Sequence, residues 1–362
     1  MADVQARLKI VTPVIVAAAL AATVLIVARR PPAGAIALKG GAVVITKAGA
    51  TLAEVARAIN DASVFSYNDA ERRAQTSAHI VVDGEGSLTI GGEEHELLEF
   101  NTTSCGNASL RIGPKARVDV VNAEIATTHR TVSAGVCTRG YIVICDGTLV
   151  ARHAKFLYIS GNRSEFLRGE ARGRLEDVEI SLSDGASLRM VDVDGKRLDI
   201  RNCSFKTAGK YGVYLFGKTA NPVRIENSVM LGPAADVFLS MGKADLTLVD
   251  CTFRKEHVMF ANATGEVSVK WRVRVLVQKN GRPAAGVAVA AVGNGETVQG
   301  TTGGDGAAVL EVTESVISSG GTRAVTPHRF RALDGGKVLA EGAPTPVTGT
   351  GAQALLAIGS VD

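Results

Sequence analysis

Three basic residues that lie close together in the chain, Arg152, His153 and Lys155, could take part in proton-transfer chemistry. Removing a proton next to a carboxylate requires a base to accept it and a fixed cation to stabilise the developing enolate. Lys255 and His257 repeat the same residue types further along the chain. On residue type alone, a polysaccharide lyase or epimerase site is therefore possible, with Arg152, Lys155 and His257 as the catalytic candidates.

Two carboxylates in the segment VDVDG, Asp192 and Asp194, are the candidates for a metal site. Carboxylates spaced two residues apart suit a hard cation such as calcium. A single such pair that ends in glycine is also the composition of an ordinary turn. The alternative to a calcium site is therefore a turn, and we expect no cofactor.

An aromatic column is the candidate ligand-binding surface. In the segment YGVYLFG, Val213 and Leu215 fit a buried face, so strand alternation places Tyr214 and Phe216 outward. Phe238 takes the outward place beside Tyr214 in a similar segment, 24 residues later. Because only 4% of the chain is aromatic, exposed rings in one column indicate a surface that stacks on sugars or docks another domain. The alternative is packing against the C-terminal part of the chain or a loop.

A repeat explains how these residues are positioned. Six segments share the form apolar, any, polar, small, any, large apolar, and DIRNCSF is the clearest of them. The large apolar position recurs from Phe156 to Phe253 at intervals of 24, 25, 25 and 23 residues. The polar column consists of Asn122, His153, Asp177, Asn202, Asn227 and Asp250.

Such a period, combined with alternating apolar residues, is typical of a stacked β-solenoid. Leu198 and Ile200 would point inward on one strand, and Cys203 and Phe205 on the next, so the chain must bend at Asn202. Asn and Asp tolerate the left-handed conformation that such a bend requires. We therefore interpret the polar column as a structural ladder, and this interpretation competes with a catalytic role for His153.

The segments NCSF and VDCTF, with this period and polar column, resemble right-handed parallel β-helix proteins of the pectate-lyase-like superfamily. The resemblance covers about residues 80 to 265, and it implies that an Asn stack occupies the tight turn between two of three sheets. Hydrolases of the superfamily carry paired Asp residues with Gly-His-Gly, and epimerases carry Asp-Pro-His-Asp. Neither motif occurs in this sequence.

The other parts of the chain complete the predicted organisation. Residues 36–79 should form an N-terminal cap with a helix over 51–59, because Thr51 and Glu54 have capping-box spacing. Residues 80–266 should form the β-helix. Residues 267–362 alternate as strands between Gly-containing turns and resemble Ig-like modules of the carboxypeptidase-regulatory-like and collagen-adhesin B types. In some adhesin modules a lysine forms an isopeptide bond, a role open to Lys270, but the last strand contains no Asn partner. The predicted fold class is all-β.

The N-terminal residues 1–35 contain an apolar run, 10–28, that is long enough to span a membrane. We favour an uncleaved single-pass anchor with an extracytoplasmic body, and the alternative is a signal peptide cleaved near Ala33-Gly34-Ala35, which would leave a secreted protein. The net charge of +4 combines 40 basic with 36 acidic residues, and no basic tract indicates nucleic acid.

The five cysteines form no disulfide framework. Cys137 and Cys145 are near enough in sequence to bridge, whereas Cys203 and Cys251 should be buried free thiols two repeats apart.

Two functions remain open from the sequence. The first is an exported, non-catalytic surface protein whose rigid β-helix face binds a polysaccharide or a surface protein. It follows from the apolar N-terminal segment, the appended Ig-like module and the missing catalytic motifs. The second is a uronate lyase or epimerase, which only the fold supports, and a fold does not determine a function.

Overall fold

The computed structural model describes residues 34–102, 108–128 and 140–358. The chain is all-β, with 61% of residues in strands and 5% in helices, and much of the strand structure is parallel. The apolar segment 10–28 and Cys137 lie outside the described residues. No helix within the described ranges is long and apolar enough to cross a membrane.

The first described segment contains seven strands and one α-helix. They are β1 (Ile36–Lys39), β2 (Ala42–Ile45), β3 (Ala50–Thr51), α1 (Leu52–Ile59), β4 (Phe65–Asn68), β5 (Arg73–Thr76), β6 (His79–Val82) and β7 (Ser87–Phe100).

The central part of the chain is built almost entirely of short strands. They are β8 (Ser109–Ile112), β9 (Arg117–Thr127), β10 (Ile142–Cys145), β11 (Thr148–Leu157), β12 (Leu167–Arg168), β13 (Arg172–Ser181), β14 (Ala186–Val191), β15 (Leu198–Arg201), β16 (Ser204–Lys206), β17 (Tyr211–Phe216), β18 (Val223–Glu226), β19 (Val229–Leu231), β20 (Ala235–Gly242), β21 (Leu246–Val249) and β22 (Val258–Ala263). Two single turns of 3-10 helix, Gly195–Arg197 and Lys255–His257, precede β15 and β22.

The C-terminal part begins with a long strand. Its elements are β23 (Glu266–Lys279), β24 (Arg282–Pro283), β25 (Ala288–Gly293), β26 (Glu296–Thr301), β27 (Ala307–Ser318), β28 (Gly321–Ala324), β29 (Arg329–Asp334), β30 (Lys337–Glu341) and β31 (Gln353–Ile358).

Parallel pairing repeats along the chain in three sheets. The first sheet has the order β1-β2-β6-β8-β10, and the third sheet has the order β12-β14-β17-β20-β22. In the second sheet β7, β9, β11 and β13 pair in turn. β13 then pairs with both β15 and β16, which pair in turn with β18 and β19, and β18 is followed by β21 and β23. In the second sheet Ile180 pairs with Phe205 and Phe205 with Met230, so neighbouring strands are one sequence repeat apart. The apolar residues that alternate with exposed ones on these strands are fully buried and form one continuous core.

The polar column lies where each repeat bends within the second sheet. All six residues have φ between 47° and 56°, which is the left-handed conformation; they are Asn122, His153, Asp177, Asn202, Asn227 and Asp250. The bend at Asn202 separates β15 from β16, and the bend at Asn227 separates β18 from β19. A second left-handed column, which the sequence did not reveal, lies at the C-terminal ends of the third-sheet strands, at Asp192, Gly217, Met241 and Asn262.

The N-terminal end of the stack is closed by reversed strands and a helix. β1 runs antiparallel to β2, and β4 runs antiparallel to β5. Helix α1 begins at Leu52, because Thr51 Oγ1 accepts a hydrogen bond from the Glu54 amide and the Glu54 carboxylate accepts one from the Thr51 amide. The parallel ladder already starts at β2, which pairs with β6, so it begins inside the segment that we expected to be only a cap.

One strand, β23, is shared by the stack and the C-terminal part. Residues 267–270 of β23 pair in parallel with β21, and the same strand continues as the centre of a sheet with β27 and β31. A second sheet of order β26-β25-β29-β30 contributes Val289, Phe330 and other buried residues to the same hydrophobic cluster. Strand β23, which begins at the predicted boundary of 266/267, therefore belongs to both parts.

Candidate functional site

The basic residues that suggested catalysis lie on the outer face of the second sheet. Arg152 and Lys155 are on β11, on either side of the bend at His153. Arg152 Nε lies 3.9 Å from Glu176 Oε2, and His153 Nδ1 lies 3.3 Å from Asp177 Oδ2 in the next repeat. Both side chains are thus placed beside carboxylates of the neighbouring strand.

Glu176 is the centre of an ion-pair network on this face. Its carboxylate oxygens form ion pairs at 2.9 Å with the Nη2 atoms of both Arg201 and Arg174. The hydrogen bonds from Arg201 and then Arg174 hold the pKa of Glu176 below its usual value, so Glu176 is poorly suited to act as a base. The alternation of arginine and carboxylate from strand to strand is that of a face stabilised by cross-strand pairs.

His257 does not join this group. It lies in the 3-10 turn before β22. This turn is four repeats after β11, and at roughly 4.8 Å per repeat it is on the order of 19 Å from Arg152 along the stack. Lys255 binds Glu314 of the C-terminal part, and Nδ1 of His257 is buried without a hydrogen-bond partner. The structure therefore does not bring Arg152, Lys155 and His257 together.

The carboxylates of Asp192 and Asp194 make turn contacts. Asp192 Oδ1 accepts a hydrogen bond from the Lys218 amide at 2.9 Å. Asp194 caps the 3-10 turn, accepting from the Lys196 amide at 3.1 Å and from Asn221 Nδ2 at 2.8 Å. Within the described ranges, no group of three or more His, Cys, Asp or Glu side chains is arranged to hold a metal ion.

The aromatic residues do form one cluster, on the outer face of the third sheet. Tyr214 and Phe238 are paired residues of β17 and β20, and their ring centroids are 5.0 Å apart. Phe216 packs edge-on against Tyr214 at 6.2 Å, and Tyr211 stacks on Phe238 at 4.4 Å. We call these four residues the aromatic cluster. Each of them is half-buried, so part of every ring remains accessible.

Arg189 extends the aromatic cluster by one strand. It pairs with Tyr214 in the sheet register, and its guanidinium carbon lies 5.3 Å from the ring centroid of Tyr214 and 5.6 Å from that of Phe216. Its Nη1 donates to the Asn162 carbonyl at 3.0 Å, while its Nε is buried without a hydrogen-bond partner. Within the described part of the chain, the guanidinium is thus held on the rings by cation–π contacts and pairs with no carboxylate.

Polar atoms border the aromatic cluster. The hydroxyl groups of Tyr214 and Ser240 lie 3.0 Å apart, and either can donate to the other or to a ligand. The loop before β20 is fixed by the fully buried carboxylate of Asp236, which accepts from the Gly232 amide at 3.0 Å and from Arg254 Nη2 at 2.7 Å. This contact lies two residues from Phe238 and holds the start of its strand in place.

Alternation within the sequence identified three of the four rings. Tyr211 was missed because alternation with Val213 assigns it to the inner face, whereas in the structure its ring stacks on Phe238 in the aromatic cluster. A Cβ on Gly212 would lie 2.7 Å from the Asp236 carbonyl oxygen, so only glycine permits this approach. Arg189 was missed as well, and the signal for it was its place one repeat before Tyr214.

The three described cysteines are not part of a site. Cys145, Cys203 and Cys251 are buried free thiols, which confirms the prediction for the last two. Burial raises the pKa of Cys203 to about 12 and that of Cys251 to about 11, so neither thiol is reactive at neutral pH.

Against this geometry, comparison with protein-family models, curated proteins and solved structures finds no significant match to the chain.

Proposed function

We propose that the protein is an exported, membrane-anchored and non-catalytic surface protein that binds a carbohydrate on the outer face of a right-handed parallel β-helix. Parallel pairing at intervals of about one repeat and the left-handed polar column support this reading of the fold. The C-terminal part is proposed to be an Ig-like module that continues from the last repeat, and residues 10–28 are proposed to be the anchor.

The observation that carries the proposed function is the aromatic cluster with Arg189. Aromatic faces stack on the apolar faces of sugar rings, and hydroxyl and guanidinium groups at their edge can hydrogen-bond to sugar hydroxyls. The rings are fixed by contacts with one another and with a rigid sheet, so little conformational freedom is lost on binding. In a chain with so few aromatic residues, such a grouping on an outer face favours ligand binding over packing.

Glycan-array binding by the full-length protein tests this proposal. The expected result is binding to a defined group of oligosaccharides, with about a five- to tenfold loss of affinity in Tyr214→Ala or Phe238→Ala, since each stacking ring contributes on the order of 1 kcal/mol. Leu355→Ala is the control, because Leu355 is equally apolar and 61% exposed but lies on β31. No binding to any glycan, or equal losses in the control, would contradict the proposal.

The enzymatic alternative is examined with the same protein. Incubation with uronic-acid polymers and ultraviolet detection of unsaturated products should give no signal. Turnover that disappears in Arg152→Ala or Lys155→Ala, with the fold retained, would replace the binding function by a lyase.

A further inference from the structure

The last strand of the third sheet, β22, is an open edge. Its residues pair with β20 on one side, from Val237 with Val258 to Gly242 with Ala263. Among the described residues, no second strand pairs with β22, and apart from β20 its backbone contacts only the preceding turn, where the Val258 amide donates to the Lys255 carbonyl. Successive peptide groups of a strand point to opposite sides, so half of the backbone donors and acceptors of β22 face away from the sheet.

Three other outer strands in the described part of the stack are covered by antiparallel neighbours, unlike β22. β1 covers the first sheet, β4 covers β5, and β27 runs antiparallel along β23 at the C-terminal end of the second sheet. Proteins usually protect an open edge with charges, proline or a bulge. The sequence of β22, VMFANA, contains neither a charge nor a proline, and Met259 is 45% exposed.

We propose that β22 binds an extended segment of a partner protein, which adds to the third sheet as its next strand. Main-chain hydrogen bonds would supply the affinity, and side chains on alternate residues the specificity. On the outer face, a row of cross-strand neighbours runs from Arg189 through Tyr214 and Phe238 to Met259. The partner segment should therefore place a large apolar residue beside Met259, and small or apolar residues toward the core.

The shape of this end favours a single strand over a second copy of the chain. β23 belongs to the same repeat as β22, and the second sheet continues beyond it with β27 and then β28. A strand added to β22 would extend the third sheet by one strand, as β27 already extends the second sheet beyond β23. A complete second stack placed end to end on β22 would meet β27 and β28.

The test uses a labelled synthetic peptide with the sequence of β20, ADVFLSMG, because this segment already pairs with the inner edge of β22. Fluorescence anisotropy with the full-length protein should show saturable binding. Two further peptides carry N-methyl groups on alternate residues, one set on each edge. We expect one of them to lose binding and the other to keep it, because a strand adds through one edge only.

Met259→Lys should weaken peptide binding about five- to tenfold, since it removes an apolar cross-strand neighbour and places a charge at the edge. Val338→Lys is the matched control, because Val338 is 44% exposed on the distant strand β30. Circular dichroism verifies that both variants are folded. The proposal is overturned if the unmodified peptide does not bind, if both N-methylated peptides bind equally, or if Met259→Lys only converts a dimer of the protein to a monomer, since the occupant would then be a second copy.

Discussion

The left-handed bend at Asn202 predicts which of two substitutions, glycine or alanine, leaves the protein with the higher free energy of unfolding. Asn202 is exposed, with φ of 56°, so replacing its side chain removes little packing. A left-handed conformation costs an ordinary L-residue roughly 1–2 kcal/mol, whereas glycine adopts it freely. Allowing about 0.5–1 kcal/mol for the extra freedom of glycine in the unfolded chain, Asn202→Gly should be more stable than Asn202→Ala by about 0.5–1 kcal/mol.

The control is Lys206, an exposed residue of the same repeat that has no positive φ. There the order should reverse, and Lys206→Ala should be more stable than Lys206→Gly by a similar amount. Urea unfolding followed by far-ultraviolet circular dichroism gives the four free energies of unfolding, while Trp271, the single tryptophan, shows whether the C-terminal part unfolds in the same transition. If alanine is the more stable substitution at both positions, Asn202 is not held in a left-handed bend and the register of the repeats is wrong.

The remaining predictions concern buried polar groups. Asp236→Asn should lower the free energy of unfolding by about 3 kcal/mol in urea titrations, because it removes a buried charge that pairs with Arg254; the same change at the exposed Asp334 should have little effect. Burial raises the pKa of Glu296, but hydrogen bonds from neighbouring side chains outweigh this effect and lower it to about 2, so its contribution to stability should be complete above about pH 4.5 and lost as the pH falls toward 2. Acid titration of Glu296→Gln should show a flatter profile in that range, and an unchanged profile would refute the role of this carboxylate. Cys203 and Cys251 should react with a thiol reagent only when the protein unfolds, and rapid labelling of the native state would show that they are accessible.

The polar column could be predicted because its conformation has a chemical preference. Asn and Asp occupy five of its six positions, and the positive φ there follows from the change in alternation around Asn202. Asp192, Gly217 and Asn262 of the second left-handed column have the same preference, but Met241 interrupts it. At Met241 the path of the chain between neighbouring repeats imposes a conformation that methionine does not prefer.

The start of the parallel ladder was missed for a related reason. β2 is buried at all four residues, AVVI, so it lacks the alternation that marks the later strands. Its partner strand β6 is 37 residues further along, because helix α1 and the β4–β5 hairpin lie between them. That interval is longer than the repeat, which hides the first step of the ladder.

The aromatic cluster was predictable only as far as alternation holds. Tyr214, Phe216 and Phe238 follow from it, whereas Tyr211 occupies an inward position by alternation and nevertheless stacks on Phe238. The catalytic candidates show the converse. Arg152 and His257 are far apart both in sequence and in space. Residue type alone could not show that a carboxylate of the adjacent repeat lies beside Arg152.

The central claim is that sugar rings stack on the aromatic cluster, and saturation-transfer difference NMR on a bound oligosaccharide tests it most directly. Irradiation of the aromatic protons of the protein should transfer saturation to the C–H protons on one face of the sugar, and the effect should fall in Phe238→Ala. Transfer that is unchanged in Phe238→Ala and in Tyr214→Ala would show that the ligand binds elsewhere and would contradict the account.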